Sequence, residues 1–283
     1  MRSIAKSRKS RLAAALASAA ALARAAAFVC AAALPAANAI AEVPHHRVRI
    51  EGTGPYTVIL ESGLGDTLDE WRSIQPRIAA HCARTFSYSR AGYLGSDVPD
   101  APRDAAAIVG ELRGELQRRG LHPPYILAGH SLGGLYMQYF ARNFPSEVKG
   151  LVLIDSTHWR QGLKLDSTAN TPYQARTAVT LFMPLIMRHE LSDSAAAGRE
   201  VNASPRAGGI PTIVLSSTRP SAGETAEQHA QAVTLQNDVA ADFPAARHVS
   251  VEGSGHYIQR DRPDAVVDAI RELAGCGRAP AAE

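Results

Sequence analysis

Ser131 stands inside the stretch Tyr125–Gln138, YILAGHSLGGLYMQ, with Gly129, Gly133 and Gly134 around it. A serine hydroxyl is a weak nucleophile. It needs a base to take its proton and N–H groups to receive the charge that forms as it attacks. The run Gly129-His130-Ser131-Leu132-Gly133 matches G-x-S-x-G. That pattern makes a nucleophile elbow only where a strand enters it and a helix leaves it. Both are expected here. Tyr125–Ala128 is a short apolar run, and Leu132–Asn143 has helical periodicity until Pro145 stops it. Small neighbours let strand and helix approach closely, and the sharp turn pushes the hydroxyl out at the strand's carboxyl end. Ten histidines are present. His256 is the one placed to serve as base, because Gly253-Ser254-Gly255 before it forms a loop able to carry an imidazole to a serine. His130 is locked into the elbow and is expected to point away from its neighbour's hydroxyl.

These groups need a scaffold, and the rest of the chain supplies alternating strand and helix signals. His46–Ile50 alternates polar and apolar residues, and Tyr56–Leu60 is a β-branched run. The Gly52-Thr53-Gly54-Pro55 link predicts a hairpin between them, with antiparallel strands. Further strands are expected at Thr85–Ser89, Val148–Ile154, Thr212–Leu215 and His248–Val251. Helices are expected at Leu68–Ala83, Ala105–Arg119, Glu227–Asp242 and Pro263–Ala274. Asp104 is placed to cap the second of these and Asp261 the last. Such alternation predicts an α/β fold with a mostly parallel central sheet and helices on both faces. Residues 156–209 carry no strand signal. Their one apolar helical segment, Ala178–Met187, is interrupted by Pro184. They are expected to form a small helical cap inserted into the sheet domain.

Four stretches together give the chain a family likeness: ILESGLGDT, YSRAGYLGSD, AGHSLGG and GSGHYIQRDRP. Through them the sequence resembles the α/β-hydrolase fold family, of serine esterase and lipase type, over most of residues 40–283. The resemblance implies a nucleophile, acid and histidine in that chain order, with Ser131 first and His256 last. It implies an oxyanion hole made by the N–H groups of Leu132 and Leu64. In the second loop, Ser62-Gly63-Leu64-Gly65 after the second strand, the histidine that often stands before the glycine is replaced by Ser62, a change that leaves the backbone role intact. The acid departs from the commoner pattern. The region after the penultimate strand reads TIVLSSTRPSAGE, without a carboxylate where one is expected. The other placement in such proteins, the end of the strand after the elbow helix, holds Asp155. Asp155 is therefore the expected acid, and Glu224 and Asp238 are the alternatives.

The implied activity is cleavage of a carboxylic ester through an acyl-enzyme. The same groups serve amides, thioesters and carbon–carbon bonds, and a catalytically silent binding protein on this fold is the alternative from another class. A serine at position 131 argues against epoxide- or halide-displacing chemistry, which needs a carboxylate there. Leu181, Phe182, Met183, Leu185, Ile186 and Met187 predict an apolar pocket wall and hence an apolar acyl substrate. No H-E-x-x-H, paired-cysteine or G-K-[ST] pattern occurs, so no metal or other cofactor is expected.

Residues 1–39 have a different character. Arg2, Lys6, Arg8, Lys9 and Arg11 precede an alanine-rich run, and Ala37-Asn38-Ala39 is a small-x-small cleavage pattern. This predicts a signal peptide cut near Ala39, a secreted or periplasmic protein, and no stable membrane span once the leader is gone. Six of the 30 Lys and Arg and none of the 27 Asp and Glu lie in that segment. The remainder carries 24 basic and 27 acidic residues, a net charge near −3, which gives no support to nucleic-acid binding. Cys82 and Cys276 remain as a pair that an oxidising compartment would allow to join.

Overall fold

Seven strands form one sheet in the order β1-β3-β2-β4-β5-β6-β7. They are β1 Val48–Glu51, β2 Thr57–Glu61, β3 Arg84–Tyr88, β4 Tyr125–His130, β5 Val148–Ile154, β6 Thr212–Ser217 and β7 Ala246–Val251. All pairings are parallel except β1 with β3. The computed structural model describes residues 44–80, 83–99, 101–161, 183–221 and 224–276. The expected leader, Cys82, Leu181 and Phe182 lie outside them.

Strands β2, β4 and β6 are buried at every position. A strand covered on both faces reads as a continuous apolar run, which is why TVIL, YILA and TIVL were legible. On one face, Ile59, Leu127, Leu151, Leu153 and Val214 pack under three helices: α2 (Ala105–Arg118), α3 (Leu132–Asn143) and α4 (Leu185–Ala203). Val239 of α5 (Ala226–Ala241) joins that cluster. On the other face, Val58, Leu60, Ile126, Val152 and Ile213 pack against α1 (Gln75–Ala79) and α7 (Pro263–Ala274). A short helix, α6 (Ile258–Asp261), precedes α7. Asp104 caps α2 by accepting from the Ala107 N–H at 2.9 Å.

Three expectations need correction. The predicted hairpin does not form: β1 pairs with β3, Val48 opposite Tyr88, and β3 separates it from β2. The buried β2 takes a parallel neighbour on each side, so the half-exposed β1 is left to the sheet edge. The single helix expected at Leu68–Ala83 is a 3₁₀ turn at Leu68–Trp71 followed by α1. Pro76 explains the break, because proline lacks an N–H and is tolerated only in a first turn. Asp261 does not cap α7. The N-cap position is Arg262, with no side-chain cap bond, and the Asp261 carboxylate turns to the Gly255 N–H at 2.8 Å. Between β5 and β6 the described part of the expected cap is α4, which starts directly after Pro184. Among the described residues no helix is long and apolar enough to cross a membrane.

Candidate active site

The parallel strands bring their carboxyl ends to one edge of the sheet, and the site is assembled there. Ser131 follows β4 with φ 52° and ψ −123°. A non-glycine residue at such a φ is strained by about 1–3 kcal/mol and is kept only where its surroundings over-determine it. Here they do. The Ser131 N–H donates to the Ile154 carbonyl at 3.1 Å, and its own carbonyl accepts from Gly134 and Thr157, both at 2.9 Å. The glycines are sterically required. A Cβ on Gly129 would come 2.7 Å from the Gly134 Cα, and one on Gly133 would come 2.4 Å from the Ser62 carbonyl. Strand and helix therefore touch backbone to backbone, and the serine sits on the bend between them. Asp155, after β5, is the other described non-glycine residue with positive φ, at 43°.

Asp155 Oδ2 lies 2.6 Å from His256 Nδ1. A ring nitrogen facing a carboxylate carries the proton, which leaves Nε2 with its lone pair free to act as a base. The Ser217 N–H donates to Asp155 Oδ1 at 3.0 Å and its hydroxyl to Oδ2 at 3.1 Å. Burial pushes the Asp155 carboxyl up. The hydrogen bond and charge of His256, with the two bonds from Ser217, outweigh it and hold the group below the usual carboxylate range. The two alternative acids are engaged elsewhere. Glu224 accepts from the Ser221 N–H at 2.7 Å and faces His229, and Asp238 pairs with Arg160. The loop that carries His256 is braced from both sides. The Gly255 N–H is held by Asp261, and His130 Nε2 donates to the His256 carbonyl at 3.0 Å. Burial, then the nearby His256, lowers His130 to about 3, so its ring is neutral.

Ser131, Asp155 and His256 line one cavity of about 360 Å³, together with Leu64 and Leu132. The Ser131 hydroxyl makes no hydrogen bond among the described residues, and such contacts often tighten only with substrate present. The Leu64 N–H is likewise without a partner there, and the Leu132 N–H opens α3, where a helix leaves its donors unpaired. The rest of the described wall mixes polar residues such as Thr157, Gln161, Glu224 and Gln236 with the apolar Leu191 and Ala232. Of the six residues expected to form an apolar wall, Leu181 and Phe182 lie outside the described residues. Met183, Leu185, Ile186 and Met187 are not among the residues that line the cavity. Ile186 packs on Gly92 and Met187 on Gly65, while Leu185 is largely exposed. Of α4, Leu191 and Ser194, further along the helix, face the cavity. Helical periodicity explains the difference, since the apolar stripe seats the helix and the neighbouring face meets the cavity.

The family model of the alpha/beta hydrolase fold matches residues 56–183, the stretch that holds the second loop, the elbow and Asp155. The chain has the α/β-hydrolase fold. An esterase from Exiguobacterium antarcticum superposes on this hydrolase-fold chain with a TM-score of 0.61 at 14% identity, over 82% of this chain and 96% of that one. A thermophilic esterase from Thermogutta terrifontis does so with a TM-score of 0.57 at 20% identity, over 80% and 92%. At these identities the likeness is one of fold. The uncharacterized protein YbdG of Bacillus subtilis is 31% identical over 107 residues, 37% of this chain and 33% of that protein. The chain thus spans about a third of the length of this curated relative.

Within the α/β-hydrolase frame, sequence reasoning missed Ser217, which holds the acid, and Arg90, which holds the second loop. Ser217 sits in the TIVLSST stretch searched for a carboxylate. The two serines ending a buried strand were the available signal.

Proposed function

We propose that this chain is a serine hydrolase that cleaves a carboxylic ester through an acyl-enzyme. The observation that carries the reading is the 2.6 Å bond between Asp155 and His256 Nδ1 in the wall of the cavity that also holds Ser131 on its strained bend. Ser131 Oγ forms a bond to the ester carbonyl carbon while His256 Nε2 takes its proton. The carbonyl π electrons move to oxygen, where the Leu64 and Leu132 N–H groups receive them in this reading. Collapse breaks the bond to the alcohol oxygen, which leaves with the proton from His256. Water repeats the sequence on the acyl-enzyme and releases the acid. Throughout, Asp155 holds the tautomer and stabilises the imidazolium.

The described cavity of about 360 Å³ supports a compact acyl group over a long alkyl chain. The test is hydrolysis of p-nitrophenyl esters from acetyl to lauroyl, beside Ser131→Ala. Acetyl to butyryl esters are expected to turn over faster than lauroyl, with activity lost in the variant. No turnover of any ester and no labelling of Ser131 by a fluorophosphonate would leave the silent binding fold as the better reading. We also propose export, on the basic, alanine-rich residues 1–39 and their Ala37-Asn38-Ala39 site. Intact-mass measurement of exported protein is expected to give a chain beginning near Ile40, and a mass that retains the leader would refute cleavage.

A further inference from the structure

We propose that Arg90 is a positioning residue of the oxyanion loop, and that Glu190, through Arg90, makes the seat of helix α4 part of the oxyanion-hole geometry. This rests on the serine-hydrolase reading and adds to it the means by which the hole is held in shape.

Arg90 is almost fully buried, as are Glu61 and Glu190. All five guanidinium N–H groups have an acceptor. Nε donates to Glu190 Oε1 at 2.7 Å. Nη1 donates to Glu61 Oε1 at 2.7 Å and to the Ser62 carbonyl at 2.6 Å. Nη2 donates to the Gly63 carbonyl at 2.7 Å and to Glu190 Oε2 at 2.8 Å. The carboxylates are held in turn. Tyr88 donates to Glu61 Oε2 at 2.5 Å, and Tyr93 donates to Glu190 Oε2 at 2.8 Å. The same Tyr93 oxygen accepts from the Gly65 N–H at 3.1 Å. Three residues of one loop, Ser62 and Gly63 before Leu64 and Gly65 after it, are therefore tied by their backbone to one buried cluster.

The Gly63 bond matters most. The Gly63 carbonyl and the Leu64 N–H belong to one planar trans peptide, so they point in opposite directions. Drawing the carbonyl toward Arg90 aims the N–H away from it, and Leu64 lines the cavity that holds Ser131. No hydrogen bond within the described residues competes for that N–H. Lysine cannot reproduce this arrangement, because its ammonium is a point charge with three donors rather than a planar fork of five. Glu190 belongs to α4, and its neighbour Leu191 and the nearby Ser194 line the same cavity. The fork from Arg90 to Glu190 thus fixes a cavity-lining helix against the loop that carries Leu64. A buried ion cluster is weak evidence for stability alone. What this one accomplishes is orientation.

The experiment uses the full-length mature protein with p-nitrophenyl acetate and a short alkylboronic acid, which adds to the serine as a tetrahedral mimic. Arg90→Lys and Glu190→Gln are expected to lower kcat about tenfold or more with KM within about twofold, since an oxyanion donor is worth about 10²–10³ in rate. Boronate affinity should fall in parallel with kcat. Tyr93→Phe, which removes the Gly65 acceptor, carries the test if either charge variant fails to fold. Folded variants with a lower Tm but unchanged kcat and unchanged boronate affinity would overturn the proposal and leave the hydrolase reading standing. A wild-type protein that neither turns over esters nor binds the boronate would overturn both.

Discussion

Asp155 and Ser217 show how a candidate catalytic carboxylate is held by a neighbouring residue. The Ser217 N–H and hydroxyl occupy the two carboxylate oxygens and orient the one that meets His256. Asp155→Asn keeps the shape but offers the imidazole an amide, which favours the wrong tautomer; a loss of about 10³–10⁴ in kcat is expected, as in triads of this type. Ser217→Ala removes one hydrogen bond to a charged group, worth about 1.5–3 kcal/mol, so a smaller loss of about tenfold or more is expected. Steady-state kinetics on a single ester ranks the two, and equal losses would mean Ser217 does more than hold the carboxylate. Ser131, His256 and Asp155 were legible because type and position in the strand–helix alternation are local properties. Ser217 was not, because its partner lies 62 residues away.

Glycine positions decide how the elements meet. The elbow exists because β4 and α3 approach until Gly129 and Gly134 touch. On Gly134 a methyl would also run into Ser156, 2.2 Å from its Oγ. Gly134→Ala is therefore expected to destabilise the fold by about 3 kcal/mol, at the upper end of overpacking costs. Gly110 gives the contrast. It lies inside α2 with nothing within 4 Å of an added Cβ. Gly110→Ala should stabilise by about 0.5–1 kcal/mol through helix propensity and a less free unfolded chain. Urea denaturation of the two variants checks both signs. Element types were readable from periodicity, but their partners were not. A two-glycine link before Pro55 reads as a hairpin, yet it leads β1 past β2 to pair with β3.

At the scale of the whole molecule, two buried histidines contribute to the response to acid. Burial lowers His130 to about 3, and burial and then Arg160 lower His158 to about 4, from an ordinary 6.5. Both are neutral in the fold and protonate in the unfolded chain. Between pH 6.5 and those values the unfolded state binds more protons, so this stability is full above pH 6.5 and is lost as pH falls. The slope is at most about 1.4 kcal/mol per pH unit for each ring. His158→Gln is expected to flatten the acid limb of a Tm-versus-pH profile, and an unchanged limb would refute the assignment. Cys276 is disulfide-bonded. Its expected partner, Cys82, lies outside the described residues. Reduction is expected to lower stability by about 2–4 kcal/mol, read as a drop in Tm with dithiothreitol that Cys276→Ser reproduces.

The sequence by itself determined the alternation of strands and helices, the elbow around Ser131 and the loop that carries His256, because each is written in neighbouring residues. Only the tertiary structure decided which strand lies beside which, that Asp155 rather than Glu224 or Asp238 meets His256, and that Leu191 and Ser194 are the residues α4 turns to the cavity. It also brought Arg90, Glu61 and Glu190 into one buried cluster behind Leu64. Contacts of that kind join residues up to 100 positions apart, so no local pattern in the sequence records them.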